Sequence, residues 1–389
     1  MGIKSSNNRP VVVVGGGFGG LTVALALSRC RPRPPIILIE PRQRFVFLPL
    51  LYELLSGELK QWEVAPKFSS LLVDQGIALL EDKVEAIDSV SKTVETSSGV
   101  RVSYHQLVLA TGAQSSDFGV NGVRENAFMF YGLDDIQPLR LRIRELKQQA
   151  DSSQAVVVVG AGPTGVELAG KLVDLLNGAA EVHLVELGDR LLPHAKAFNQ
   201  EQAERAINQR GINVHLRTRV ISVTSSLVEL KSEQPEQSSI SSLMHRGVIW
   251  TAGNSPVIPF FKDEVALKGS RLPINSYFQV LGFEDIFALG DVSYNEEQCC
   301  PSTAQVALQQ GEALAQILMA MRLGHEPEAF VYKDFGEMLS LGMGEATITG
   351  MGMTIAGPLA YQLRRMTYLT RLPRISLGLR SAGAWLLGN

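Results

Sequence analysis

The sequence predicts an α/β fold of two doubly wound parallel sheets, the second inserted in the first, with a C-terminal amphipathic segment after them. Two observations carry that prediction. Four β-branched residues, Val11–Val14, run into a turn holding Gly15, Gly17 and Gly20, and the same order restarts at 156–159 with Gly160, Gly162 and Gly165. In each copy a helical stretch follows the turn, and a second apolar strand then closes on an acid, Glu40 in the first and Glu186 in the second. Strand, glycine turn, helix and strand within about 30 residues is the context of a βαβ unit.

The elements follow in order. After the first turn come a helix over 21–29 and a strand over 36–40, then an aromatic-rich apolar stretch from Phe45 to Tyr52. Residues 107–110 form a further strand, ending in Ala110-Thr111-Gly112. In the second copy a helix spans 166–176 and strands span 182–186 and 248–250, the last leading into Thr251-Ala252-Gly253. The polar run 232–242 reads as a hairpin turn or surface loop. A strand over 286–289 leads to Gly290-Asp291, and a helix begins at Thr303. The division is 1–115 and 255–329 for the first domain, 116–254 for the second, and 330–389 for a separate C-terminal region.

The glycine spacing has a physical meaning. The first glycine permits the tight turn, the second lets the backbone approach a pyrophosphate, and the third lets helix pack on strand. The anion then sits at the positive helix N-terminus. Glu40 and Glu186 are placed to accept hydrogen bonds from a ribose diol. These are two Rossmann-like dinucleotide-binding domains, and two sites imply two dinucleotides: NADH or NADPH, and a flavin, FAD, that it reduces. Glu186 favours a free 2′-hydroxyl and so NADH, whereas the nearby Arg190 favours NADPH; the choice stays open.

Composition narrows the class. The 389 residues are 45% hydrophobic and 19% charged, with a net charge of −3, which excludes disorder as a description of the chain and removes the usual support for nucleic-acid binding. Three cysteines cannot build a disulfide framework, and the six scattered histidines show no metal-ligand spacing, so no metal is expected. The first residues, Met1 to Ser6, formally fit a myristoylation pattern but read as a short polar leader. No signal peptide and no transmembrane span is expected.

Ala110-Thr111-Gly112 and Leu289-Gly290-Asp291 resemble the flavin-side motifs of the two-dinucleotide-binding-domain flavoproteins. Three stretches narrow the resemblance to type II NAD(P)H:quinone oxidoreductases: Phe47 to Glu53, Gly165-Val166-Glu167, and Thr303 to Gly311 with its paired glutamines. The stretch from Phe47 to Glu58, with Trp62 to Pro66, resembles the cyanobacterial and plastid branch, whose members serve plastoquinone and prenylated naphthoquinone metabolism, including demethylphylloquinone reduction in phylloquinone biosynthesis. The resemblance implies tightly bound FAD near Thr111, Gly112, Gly290 and Asp291. It also implies a prenylated quinone met by Gln305 and Gln309, and a carboxylate, Glu167, placed for proton delivery. Independently, Gln305 and Gln309 stand one turn apart on one helix face and can donate to a quinone carbonyl without adding charge; on their own they also read as exposed helix residues. Glu167 alone reads as an acid favoured by a helix N-terminus. The cysteines do not match the redox pairs of the disulfide reductases or the sulfide:quinone oxidoreductases. Respiratory NADH dehydrogenation onto plastoquinone, a soluble flavoprotein reductase, and a redox-sensing flavoprotein using Cys299-Cys300 are the alternatives.

Residues 346–389 contain Arg364, Arg365, Arg371, Arg374 and Arg380 and no acidic residue. The stretch 346–363 reads as a hairpin or turns followed by a helix start. Beyond it, Leu359, Leu363, Met366 and Leu369 form one apolar stripe, with Arg364 and Arg371 across from it. Ile375, Leu379, Ala382 and Leu386 form a second, with Arg380 opposite and Trp385 at its edge. Basic, amphipathic and aromatic-edged helices lie in membrane interfaces. The expectation is a peripheral, monotopic membrane protein facing the cytoplasm or an equivalent compartment, with a homodimer left open.

Overall fold

A computed structural model describes residues 9–149, 154–233 and 239–386. The myristoylation match at Met1 to Ser6 lies outside them. The chain forms two compact units: unit 1 comprises residues 1–46, 65–114 and 255–333, and unit 2 comprises 47–64, 115–254 and 334–389. Six helices matter below: α1 (Phe18–Arg29), α2 (Leu51–Ser56), α3 (Pro163–Leu176), α4 (Ala304–Leu323), α5 (Pro358–Arg371) and α6 (Ile375–Leu386).

Unit 1 is built on a five-stranded sheet in the order Ile286–Ala288, Gln106–Leu109, Val11–Val14, Ile36–Ile39, Ile77–Leu80. Every pair in it is parallel, as the strands' continuous β-branched and aliphatic runs predict for a sheet covered on both faces. Val14 stands opposite both Ile39 and Leu109, and Leu109 opposite Ala288. That register brings the residues after each strand, the first turn, Glu40, Thr111-Gly112 and Gly290-Asp291, to one carboxyl edge, where ligands of such sheets bind. Helices α1 and α4 cross there at very close range: a Cβ on Gly311 would lie 2.8 Å from the Gly19 carbonyl oxygen.

Unit 2 repeats the plan. Its parallel sheet runs Asn213–His215, Glu181–Val185, Ala155–Val159, Gly247–Trp250, Ala127–Met129. Val159 faces Val185 and Trp250 across the ladder, so the second turn, Glu186 and Thr251 share an edge. The ends of the polar run that are described, Ser232 and 240–242, belong to an antiparallel pair, Leu227–Ser232 with Ile240–Met244, and 234–238 lie outside the described residues. An antiparallel sheet of Glu337–Gly342, Glu345–Gly350 and Met353–Gly357 precedes α5 and α6. Among the described residues no helix is long and apolar enough to cross a membrane.

The tail departs from the expected pattern at Arg364. On α5 the buried side chains are Ala360, Tyr361 and Arg364, while Leu359 and Met366 are 63% and 62% exposed. Arg364, expected across from the apolar stripe as a solvent-facing charge, is 0% exposed. Counting apolar residues cannot foresee this, because two carboxyl groups far away in sequence supply the partner for the charge. Other arginines are also used inside unit 2: Arg365 lies over Trp385 at 4.2 Å and Arg380 over Trp62 at 4.3 Å. Glu63 accepts hydrogen bonds from Ser381 Oγ and, at 2.8 Å, from Trp385 Nε1, which pins α6 to the 61–64 segment.

Candidate functional site

Each glycine turn has the shape a pyrophosphate requires. At the third glycine there is no room for a side chain: a Cβ on Gly20 would lie 1.9 Å from the Gly15 carbonyl oxygen, and one on Gly165 1.7 Å from that of Gly160. At the middle glycines, Gly17 and Gly162, a Cβ would meet nothing within 4 Å, so bare backbone faces open space at a helix N-terminus. A dinucleotide phosphate fits both cradles.

The two acids sit differently. Glu40 is 2% exposed. Its carboxylate accepts from the Gly16 amide at 2.6 Å and from the Arg42 amide and Nε at 2.9 and 2.7 Å. Burial raises its pKa, but the hydrogen bonds and charge of Arg42 outweigh that and hold it below the ordinary value. The carboxylate predicted to hold a ribose is thus also a clamp on its own turn. Glu186 is half-buried and accepts from the Ala161 and Gly188 amides at 2.7 and 2.6 Å, and among the described residues no arginine pairs with it. Arg190 turns instead to Asp189, at 3.1 Å.

On the edge of unit 1 expected to hold a flavin, Thr111 Oγ1 donates to the Val257 carbonyl and Gly112 takes a positive φ of 68°. Asp291 has its pKa raised by burial, opposed by the charge of Arg271 and by Ser302. A pocket here is lined by Arg271, Gly290, Asp291, Cys300, Thr303 and Gln310. The Gly290 amide donates to Gln310 Oε1 at 2.8 Å. Gln310, buried and not expected as a site residue from the sequence, therefore shapes the Gly290-Asp291 turn; its signal is its place next to Gln309, about 100° further round α4. Gln305 and Gln309 are half-buried on α4. Gln309 is engaged at both ends of its amide, donating to the Lys333 carbonyl at 2.9 Å and accepting from the Lys333 amide at 3.1 Å, so one N–H remains for a ligand.

Glu167 belongs to unit 2, on α3, and is 6% exposed. It is far from a solvated helix-end acid. Its Oε1 accepts from the Ser340 amide at 2.6 Å and from Arg364 Nη2 at 3.3 Å, and the nearby Tyr52 hydroxyl favours its ionised form. Burial pushes its pKa up to about 7, with Arg364 and the Ser340 amide pulling down and the charge of Glu53 adding to the rise. Glu53, Tyr52 and Arg364 carry no site role in the sequence reading. Among the described residues the cysteines are free thiols, and no cluster of His, Cys, Asp and Glu could hold a metal.

Two parallel sheets, each with an acid-closed glycine turn at its carboxyl edge, define an oxidoreductase fold for two dinucleotides. The family model of the pyridine nucleotide-disulphide oxidoreductases matches residues 9–311. Demethylphylloquinone reductase NdbB of Synechocystis sp. is 34% identical, covering 97% of this chain and 97% of that protein. The alternative NAD(P)H-ubiquinone oxidoreductase C1, chloroplastic/mitochondrial, of Arabidopsis thaliana is 33% identical, covering 94% of this chain and 78% of that one. Among solved structures, NDH2 of Plasmodium falciparum, in complex with NADH, superposes with a TM-score of 0.86 over 97% of this chain and 98% of that one, at 18% identity. The chain belongs to the pyridine nucleotide-disulphide oxidoreductase family and, within it, to the type II NAD(P)H:quinone oxidoreductases. It is an enzyme, and FAD and a nicotinamide dinucleotide are its cofactors.

Proposed function

We propose that this enzyme passes electrons from NADH or NADPH through FAD to a prenylated membrane quinone, with a demethylnaphthoquinone such as demethylphylloquinone as the acceptor to test first. The observation that carries the reading is the duplicated turn, each copy open at its middle glycine and closed by an acid. The name of the 34% identical relative supports the acceptor. When bound, the flavin supplies the two-electron relay between nicotinamide and quinone.

The residues have these parts. Gly15, Gly17, Gly20 and Glu40 hold the FAD pyrophosphate and ribose side, with Thr111, Gly112, Gly290 and Asp291 along the rest of the flavin. Gly160, Gly162 and Gly165 cradle the nicotinamide dinucleotide, and Glu186 reads its 2′-hydroxyl. Gln305, and the N–H left on Gln309, donate to a quinone carbonyl. Glu167, with a pKa of about 7, holds a proton for the reaction at working pH. The exposed Leu359, Met366 and Leu379, with exposed Arg371 and Arg380, suit a peripheral contact with an anionic lipid surface.

The test is a matrix of NADH and NADPH against benzoquinone and naphthoquinone acceptors on purified protein of measured flavin content. Expected are about one flavin per chain and nicotinamide oxidation that depends on a naphthoquinone. Protein without flavin, or oxidation no faster with a quinone than without, overturns the reading.

A further inference from the structure

Arg364 is the largest fully buried side chain among the described residues, and no part of the proposed reaction uses it. It reaches inward from α5 to two carboxyl groups, Glu53 on α2 and Glu167 on α3. Nη1 goes to Glu53 Oε1 at 2.5 Å. Nη2 is shared, with the Pro49 carbonyl at 2.8 Å and Glu167 Oε1 at 3.3 Å. All three side chains are buried, Glu53 and Arg364 at 0% exposure. Burial disfavours a charge on Arg364, yet Glu53, Tyr368 and Glu167 keep its pKa well above the ordinary value.

The count of charges decides what such a cluster does. An unbalanced buried charge is costly, and a neutral set is far less so. One guanidinium can neutralise one carboxylate. Glu53 takes the shorter contact, so neutrality leaves a proton on Glu167. The neighbours do not alter this count. Lys171, on the same helix as Glu167, is spent on Glu58, whose other oxygen accepts from Tyr361. Arg365 lies over Tyr361 and Trp385. Arg210, reaching α3 from the end of helix Ala197–Gln209, is paired with Asp174 and Glu345. Arg140, from helix Ile136–Gln149, caps the Leu54 and Leu55 carbonyls. Strand Glu337–Gly342 presents only the Ser340 amide, and Tyr52 and Tyr368 are neutral phenols with raised pKa values.

We infer that Glu53 and Arg364 are positioning residues for the reaction proton: Glu53 claims the single buried guanidinium, and Glu167 is thereby left as the group that holds and releases a proton. This rests on the proposed role of Glu167 in turnover and adds what sets it. Removing the negative charge of Glu53 makes the Arg364–Glu167 pair the neutral set, so Glu167 ionises at lower pH.

The experiment uses flavin-loaded full-length protein: wild type and the E53Q, E53D and E167Q variants. Infrared titration of the protonated-carboxyl band is measured beside the pH profile of quinone reduction. In wild type a band should titrate near pH 7, absent from E167Q. In E53Q its midpoint should fall by about one pH unit or more, and E53D, which keeps the carboxylate, should restore it. The alkaline limb of turnover should move with the band. A band that moves while the turnover profile stays fixed leaves the positioning standing and removes Glu167 from the reaction. A midpoint unchanged in E53Q, or a band lost in E53Q and kept in E167Q, overturns the inference. The wild-type titration alone also decides: a Glu167 ionised throughout the pH range contradicts it even if every variant misfolds.

Discussion

At the first turn the acid is Glu40, 2% exposed, with one oxygen on the Gly16 amide and an arginine across both. At the second turn Glu186 is half-buried and, among the described residues, its hydrogen bonds come from backbone amides. The strand register, the open middle glycine and the collision at the third glycine are otherwise alike. A turn clamped by a buried, arginine-backed carboxylate suits a cofactor that stays. A turn whose acid still meets solvent suits a substrate that enters and leaves each cycle.

The largest effect that tests this contrast comes from the third glycines. Gly20→Ala sets a methyl against backbone in unit 1, and we expect a chain that does not retain flavin, read from flavin absorbance per mole of protein. Gly165→Ala meets the same collision in unit 2, and should leave flavin in place while raising the KM for NAD(P)H about tenfold or more. Loss of flavin in both variants would erase the distinction.

The acids come next. Glu40→Gln weakens charge-assisted hydrogen bonds in a buried place, an expected loss of about 1–3 kcal/mol in denaturant unfolding. Glu186→Gln should change stability by less than about 1 kcal/mol, as expected near the surface, and instead reduce the preference for NADH over NADPH. Equal destabilisation by both would show that neither turn is the more firmly clamped.

The pH dependence separates two buried carboxyls by sign. The folded pKa of Glu40 is depressed, so its stabilising contribution is present above the ordinary carboxylate range and is lost as pH falls through the folded value. Glu167 is raised to about 7, so its contribution is full below its unfolded pKa of about 4.5 and is lost as pH rises through 7. Unfolding measured across pH should therefore lose its acid limb in Glu40→Gln and its neutral limb in Glu167→Gln.

The smallest effect should come from Cys299→Ser with Cys300→Ser. Both thiols are free, and burial raises the pKa of Cys300. Turnover is expected to stay within about twofold, whereas a thiol-sensing enzyme would lose its response to oxidants.

Legibility in the sequence follows from distance along the chain. The turns, their acids and the strands were readable because each βαβ unit is local and its glycines answer to backbone geometry. The Arg364–Glu53 pair joins positions 311 residues apart, and no periodicity reports such a partner. The same rule explains the tail: an arginine among leucines reads as a solvent-facing charge until its carboxylates are known. On α4, the choice of Gln305 and Gln309 by shared face missed Gln310, because a helix face can be read from sequence but the turn that it supports cannot.

The most direct measurement of the central claim is anaerobic stopped-flow spectroscopy of the flavin. Protein is first reduced with one equivalent of NADH and then mixed with a demethylnaphthoquinone. The account predicts bleaching of the flavin by NADH and its rapid return on mixing with the quinone. A flavin that NADH does not reduce, or that stays reduced in the presence of the quinone, would contradict it.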